Sequence, residues 1–313
     1  MQFLRLVVRC IWNRNGKERN EPVLLTIIGI VLLLAIFFIA VMIIDCNRFV
    51  IKEYTISSPK LNADETMVLL SDLHSKDFGN KNKKLKAAID RISPDKILVA
   101  GDIYTASKFE DVSTAEDLMR YLALKYPVYY SNGNHEHKTQ LYPEVFGDIY
   151  ENYAETLEKA GIRHLVNEKA VLPEENTEIF GAQIDREYFG KMKRVTMKAD
   201  YVTELLGSPE EEKFTILIAH NPDYFEAYAD WGADLVVAGH VHGGLMRLPF
   251  LGGVISPALK LFPRYDGGKF EKDGTVMILG RGLGTHTLPI RIFNPGELVV
   301  IRCKAKNRNE NTR

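Results

Sequence analysis

Hydrophobic and polar positions follow three different patterns along this chain. From Val23 to Ile44 there is no charged residue, and Leu, Ile, Val and Phe dominate. About 20 apolar residues in a helix cross the hydrocarbon core of a bilayer. No polar stripe marks one face, as it would on a helix packed against a soluble core. The run exceeds the roughly 7–15-residue apolar stretch of a signal peptide, and no small-x-small cleavage site follows it. The pattern therefore predicts one uncleaved transmembrane helix over 23–44, after a basic tail at 1–22. Residues 45–63 read as a linker and first strand.

From residue 64 the apolar runs shorten and alternate with helical periodicity. Thr66–Ser71, Lys96–Ala100 and Pro127–Ser131 read as strands. Between and after them lie amphipathic helices near Lys83–Ile92, Ala115–Leu124 and Ile149–Lys159. Glu178–Ile184, Phe214–Ala219 and Asp234–Ala238 are further strands. Strands interleaved with helices of roughly ten residues predict an α/β domain whose sheet faces are covered. The last third reads as strands at Gly274–Leu279, Pro289–Phe293 and Glu297–Arg302, with little helix. Residues 304–313 form a polar tail expected to be disordered.

Composition adds modest constraints. The 313 residues are 46% hydrophobic and 26% charged, with net charge -1. No global basic field exists to hold a nucleic acid, so none is expected as a partner. Cys10, Cys46 and Cys303 are too widely spaced for a disulfide framework or a CxxC site, and read as free thiols. Arg5, Arg9, Arg14, Lys17 and Arg19 precede the apolar run, against Arg48 and Lys52 just after it. That excess predicts a cytoplasmic N-terminus and an extracytoplasmic domain.

The chemistry is concentrated at strand ends. Five apolar runs are followed in turn by Ser71-Asp72-Leu73-His74, Gly101-Asp102, Asn132-Gly133-Asn134-His135-Glu136, Ala219-His220-Asn221 and Gly239-His240-Val241-His242-Gly243-Gly244. Ligands of open α/β sheets gather at the carboxyl ends of strands, and Asp, His and Asn are metal ligands with nitrogen and hard oxygen donors. Each motif alone is explained by a satisfied polar residue. The five together, each directly after a strand, point to a metal site, because clustered carboxylates and imidazoles are expensive to desolvate without an ion. Alternation along an extended chain would aim both residues of Asp72-x-His74, and of His240-x-His242, to one side.

This ordered set resembles the calcineurin-like metallophosphoesterase superfamily over nearly all of residues 64 to 303. Gly243-Gly244 through Arg247-Leu248-Pro249, Phe262-Pro263-Arg264-Tyr265, Arg281-Gly282-Leu283-Gly284-Thr285 and Leu288-Pro289-Ile290-Arg291 resemble its YkuE/YaeI-like branch of membrane-associated phosphodiesterases. The resemblance implies two stacked mixed β-sheets flanked by helices, a four-layer α/β/β/α sandwich. It also implies two divalent metal ions, of manganese, iron or zinc. Asp72, His74 and His242 would bind one; Asn134, His220 and His240 the other; Asp102 would bridge them. His135 would act as the acid or transition-state donor. Two such ions clamp a phosphoryl group and lower the pKa of a water that attacks phosphorus.

The chain departs from the superfamily where Gly-Asp-x-x-Asp is usual. Thr105 stands in place of the second Asp, which would orient the histidine of Gly-Asn-His. Glu110 or Asp111 could substitute; otherwise dependence on His135 weakens. Val241 and Leu245 make the site rim more apolar. The segment Leu245–Leu261 reads as a β-hairpin packed on the core, with a rim loop that touches lipid as the alternative. Arg281 and His286 are candidates for binding substrate, while His137 and His164 read as surface residues.

The leading functional expectation is hydrolysis of a phosphodiester or pyrophosphate, of a lipid-linked or cell-envelope substrate. A phosphomonoesterase or nucleotidase is the second enzymatic reading. A non-catalytic metal-binding envelope protein is the alternative from another class.

Overall fold

In a computed structural model, residues 21–190, 195–256, 261–285 and 289–306 are described. The apolar run folds as helix α1 (Glu21–Cys46), 26 residues long. A rise of 1.5 Å per residue makes it about 39 Å long, more than the roughly 30 Å of a bilayer core. Its side chains from Val23 to Ile39 are largely exposed, because no other element wraps them.

The strands in chain order are β1 (Phe49–Ser58), β2 (Glu65–Leu70), β3 (Lys96–Ala100), β4 (Val128–Ser131), β5 (Arg163–His164), β6 (Glu168–Leu172) and β7 (Thr177–Ala182). Then follow β8 (Phe214–Ala219), β9 (Leu235–Ala238), β10 (Met246–Leu248), β11 (Gly252–Ile255), β12 (Gly268–Lys272), β13 (Thr275–Leu279) and β14 (Gly296–Ala305). Helices beyond α1 are α2 (Lys83–Ile92), α3 (Ser113–Ala123), α4 (Asn134–Leu141), α5 (Pro143–Phe146), α6 (Ile149–Lys159), α7 (Tyr201–Leu206) and α8 (Phe225–Trp231).

Two six-stranded mixed sheets form, ordered β1-β14-β2-β3-β4-β5 and β12-β13-β9-β8-β7-β6. Their central strands are parallel: β2, β3 and β4 in the first, β7, β8, β9 and β13 in the second. Successive side chains of a strand face opposite sides, and here both sides are dry. Leu69, Leu98, Ile216 and Val237 meet in the layer between the sheets. Val68 and Val99 point outward onto Leu85, Ile89, Leu118 and Leu157 of α2, α3 and α6. Leu217 and Val236 face Val202, Phe225 and Tyr228 of α7 and α8. Burial on both faces explains why these strands read as unbroken apolar runs, each Leu or Ile contributing about 1.5–3 kcal/mol. The result is the expected four-layer sandwich.

One predicted strand is absent. Of Pro289–Phe293 only Ile292 makes a bridge, to Met246. The guanidinium of Arg291, 2% exposed, turns the segment inward by donating to the carbonyls of Arg281, Gly282, Gly284 and Asn294. The segment Leu245–Leu261 does contain the expected hairpin, β10 with β11. Its tip, however, is not packed on the core: Phe250 is fully exposed and Leu251 is 61% exposed. Residues 257–260, His286 and Cys10 lie outside the described residues. Cys46 and Cys303 are free thiols.

Candidate metal centre

The parallel strands of both sheets deliver their polar residues to one place. Asp72 follows β2, Asp102 follows β3 and Asn134 follows β4, all in the first sheet. His220 follows β8, and His240 and His242 follow β9, in the second. Bonds cross between the sheets at this edge. His220 Nδ1 lies 2.6 Å from Ala100 O, and the His240 N–H donates to Asp72 Oδ1 at 2.9 Å.

The local backbone differs from the extended alternation expected for Asp72-x-His74 and His240-x-His242. The strands end before these residues. Asp72, His74, Asp102, His240 and His242 have φ of 49°, 48°, 55°, 75° and 51°. Left-handed geometry at five non-glycine residues is costly and concentrates at functional sites. It turns consecutive donors toward one centre within short loops, where a straight strand would carry them past it. Gly101, at φ 71°, admits no side chain: a Cβ there would lie 2.0 Å from Gly133 N. That close approach brings the loops after β3 and β4 together.

The side chains form three overlapping groups with ligand atoms within 4.8 Å of one another: Asp72, His74 and His242; His74, Asp102 and His135; Asp102, His220 and His240. Asp102 and His74 are each shared by two groups. His74 Nε2 lies 3.2 Å from His242 Nε2, which is 3.4 Å from Asp72 Oδ1. His220 Nε2 is 3.1 Å from Asp102 Oδ2. Asp72 Oδ2 and Asn134 Oδ1 are buried without a hydrogen-bond partner. Orphaned hard oxygens beside imidazole nitrogens are what a divalent cation satisfies, so the residues present fit one.

Electrostatics express the same crowding. Burial drives the Asp72 carboxyl up to about 6, with the Asp102 charge adding to it. Burial also opposes charge on Asp102, yet the imidazoles of His220 and His135 hold it well below the usual carboxylate range. For His220, burial acts downward, and Asp102 and Asp72 nevertheless hold it up at about 10.

His135 is oriented by backbone. Ala106 N–H donates to His135 Nδ1 at 2.7 Å, which leaves the ring proton of the neutral form on Nε2. That Nε2 lies 3.9 Å from Asp102 Oδ2. Thr105 serves another histidine, its Oγ1 lying 3.1 Å from His74 Nδ1. Neither acidic candidate replaces the missing carboxylate. Glu110 Oε1 accepts from Ser75 Oγ at 2.6 Å, and Asp111 accepts from Ser113 N.

Glu136 has a structural importance that its place in Gly-Asn-His-Glu did not reveal. It is fully buried and accepts from Asp102 N, Ile103 N, Gly133 N and Tyr130 Oη at 2.8, 2.8, 3.0 and 2.7 Å. It thereby clamps the loops after β3 and β4 together. The legible signal was an acidic residue three positions into a helix, reaching back to the N-cap amide. Of the remaining candidates, Arg281 lies against Gly243 and its Nε is committed to buried Glu297. His137 is buried and His164 half-buried, not on the surface. His137 sits on the inner face of α4, and His164 Nε2 is 2.8 Å from Asn132 Oδ1, below the Gly133 turn.

A calcineurin-like phosphoesterase family model matches residues 66–244, the span from β2 through the His240-x-His242 loop. The chain belongs to the calcineurin-like phosphoesterases. The phosphoesterase is 27% identical to metallophosphoesterase YkuE of Bacillus subtilis, over 77% of this chain and 79% of YkuE. It is 23% identical to the UDP-2,3-diacylglucosamine pyrophosphatase LpxG of Chlamydia muridarum, over 76% of this chain and 83% of LpxG. To phosphodiesterase YaeI of Escherichia coli it is 27% identical, over 61% of this chain and 65% of YaeI. Membership and the His/Asp clusters together imply divalent metal ions and a phosphate-ester substrate.

Proposed function

We propose that the phosphoesterase hydrolyses a phosphodiester or pyrophosphate through two divalent ions of manganese, iron or zinc, at the cluster centred on Asp102. The observation that carries this is the sharing of Asp102 between two donor groups, while Asp72 Oδ2 in the adjoining group and Asn134 Oδ1 next in chain to His135 are buried without a hydrogen-bond partner. Asp72, His74 and His242 would hold one ion, and His220, His240 and Asn134 the other, with Asp102 between them. When bound, such a pair polarises a phosphoryl oxygen and lowers the pKa of a water nucleophile.

The protein's own groups supply position and a hydrogen-bond donor. Asp102 and His220 brace one another across the two sheets at 3.1 Å. His135, with Nδ1 occupied by Ala106 N–H, presents Nε2–H toward the cluster as a hydrogen-bond donor to the charge that develops in the transition state. Diester or pyrophosphate chemistry is favoured by the names of the relatives, phosphodiesterase YaeI and pyrophosphatase LpxG. Helix α1 is read as a single membrane span, with the basic tail cytoplasmic and the catalytic domain on the other side.

The test is metal quantification on the purified full chain, followed by turnover of bis-aryl phosphate, a pyrophosphate and mono-aryl phosphate with each metal. Chelation should abolish turnover and readdition restore it. Faster turnover of the monoester would favour a phosphomonoesterase. Bound metal with no turnover on any ester would leave a metal-binding protein.

A further inference from the structure

We propose that three exposed phenylalanine turns beside the site dock the catalytic domain onto the lipid surface of the membrane that α1 spans. The substrate would then be a phosphate ester carried by a lipid of that same membrane, a clause that rests on the proposed phosphoester hydrolysis. Phe250, Phe262 and Phe293 are 107%, 60% and 41% exposed, and have φ of 68°, 47° and 53°. An aromatic residue in left-handed backbone is costly, and one left in water returns nothing to the fold. Three together, with Leu251 and Leu261 at 61% and 66% exposure, form an apolar surface that calls for an occupant.

The turns belong to one platform. Phe262 N–H donates to Val254 O at 2.9 Å, which joins its turn to β11. Ile292, next to Phe293, bonds to both Leu245 and Arg247 at the base of β10. The platform is also the rim of the site: Leu245 N–H donates to Ile255 O at 2.7 Å, only three residues after His242.

The identity of the occupant follows from α1. The ring of Phe293 packs on Phe37 and Phe38, with centroids 6.3 and 6.2 Å apart. Counted from Pro22, a core of about 30 Å is crossed in roughly 20 residues, so α1 leaves the hydrocarbon near Met42. Phe37 and Phe38 then lie about 6–8 Å inside it. Apolar faces of interfacial elements sit about 5–10 Å deep, at the boundary of headgroups and acyl chains. Phe293 is held at that level by its contact with α1, and the hairpin is bonded to its chain neighbour Ile292. A protein partner would have to occupy space that lipid already fills around the helix.

The full chain in vesicles of phosphatidylethanolamine and phosphatidylglycerol, with acyl chains brominated near the headgroup, tests this. Tryptophan replaces Phe250 in one variant (Phe250→Trp). In the control it replaces exposed Glu155 on α6 (Glu155→Trp), which packs against α3, α4 and β5. With the wild-type emission subtracted, the tryptophan at 250 should be quenched and blue-shifted, and the one at 155 should not. Equal, unquenched emission from both overturns the docking and leaves the patch to a protein partner. Separately, Phe250→Ser with Leu251→Ser should lower kcat/KM for a vesicle-borne phosphodiester about tenfold and leave a soluble bis-aryl phosphate unchanged. Equal effects on both substrates overturn the lipid-substrate clause. Quenching at 250 without turnover of any ester supports docking and overturns the phosphoester reading instead.

Discussion

The backbone N–H of Asn294 donates to Asp45 Oδ2 at 3.0 Å, tying the end of α1 to the residue that supports the histidine loop. The Asn294 side-chain amide donates to His242 O and Gly244 O, each at 2.7 Å. Asp45 is itself 2% exposed and paired with Arg48 at 2.7 Å. The helix and the proposed metal ligands therefore share one buried joint.

Removing that joint should cost both stability and metal affinity. Asn294→Ala leaves two buried carbonyls unpaired, at a cost of about 2 kcal/mol or more. Loss of support behind a ligand typically lowers metal affinity or activity by about 10–100-fold. Metal titration of the purified variant reads the second effect, and a variant that binds metal as tightly as wild type would show that the joint is structural only.

Thr105 should act through His74. Its hydroxyl lies on His74 Nδ1, so Thr105→Val removes the group that fixes that ring. A loss of about tenfold or more in metal affinity is expected, and Thr105→Ser should recover it. An unchanged pH profile for the leaving-group step would separate this role from one on His135.

Glu136→Gln should be severe. Three backbone N–H groups and Tyr130 Oη converge on its carboxylate, and the amide N–H₂ of Gln would confront donors. A loss of at least about 3 kcal/mol is expected from breaking such a buried charged network. Urea unfolding measures it. Displacement of Asp102 by about 1 Å would in addition lower turnover about 100-fold.

Acid stability should depend on His164. Burial pushes its imidazole down to about 4, below the roughly 6.5 of an unfolded chain. Between these values the unfolded state binds more protons, so stability is complete above about pH 6.5 and is lost as pH falls through 4. The loss is at most about 3 kcal/mol. His164→Gln should flatten this window in denaturation curves taken across it, and an unaltered slope would assign the acid sensitivity elsewhere.

Much of this architecture is legible in the amino-acid sequence. Helix α2, strands β3 and β8 and helix α6 begin and end where periodicity places them, because their apolar spacing matches one or two dry faces. The candidate donors were legible as types and as strand-end positions, since an apolar run stops where a charged donor begins. What escaped was everything carried by long-range hydrogen bonds. Arg291 makes a turn of a segment whose composition suits a strand. The amide of Ala106 occupies His135 in place of the missing carboxylate. His164 is drawn inward to Asn132 Oδ1.

The amino-acid sequence by itself determined the apolar helix, the α/β alternation and the identity of the donors, because these follow from local periodicity and side-chain chemistry. Only the tertiary structure decided that donors from two sheets meet on Asp102, that left-handed loops rather than extended strands aim them, and that Phe293 packs on Phe37 and Phe38. The reason is physical: each of these depends on partners far apart in the chain, and their geometry is set only when the sheets pack and the backbone groups between them find their hydrogen bonds.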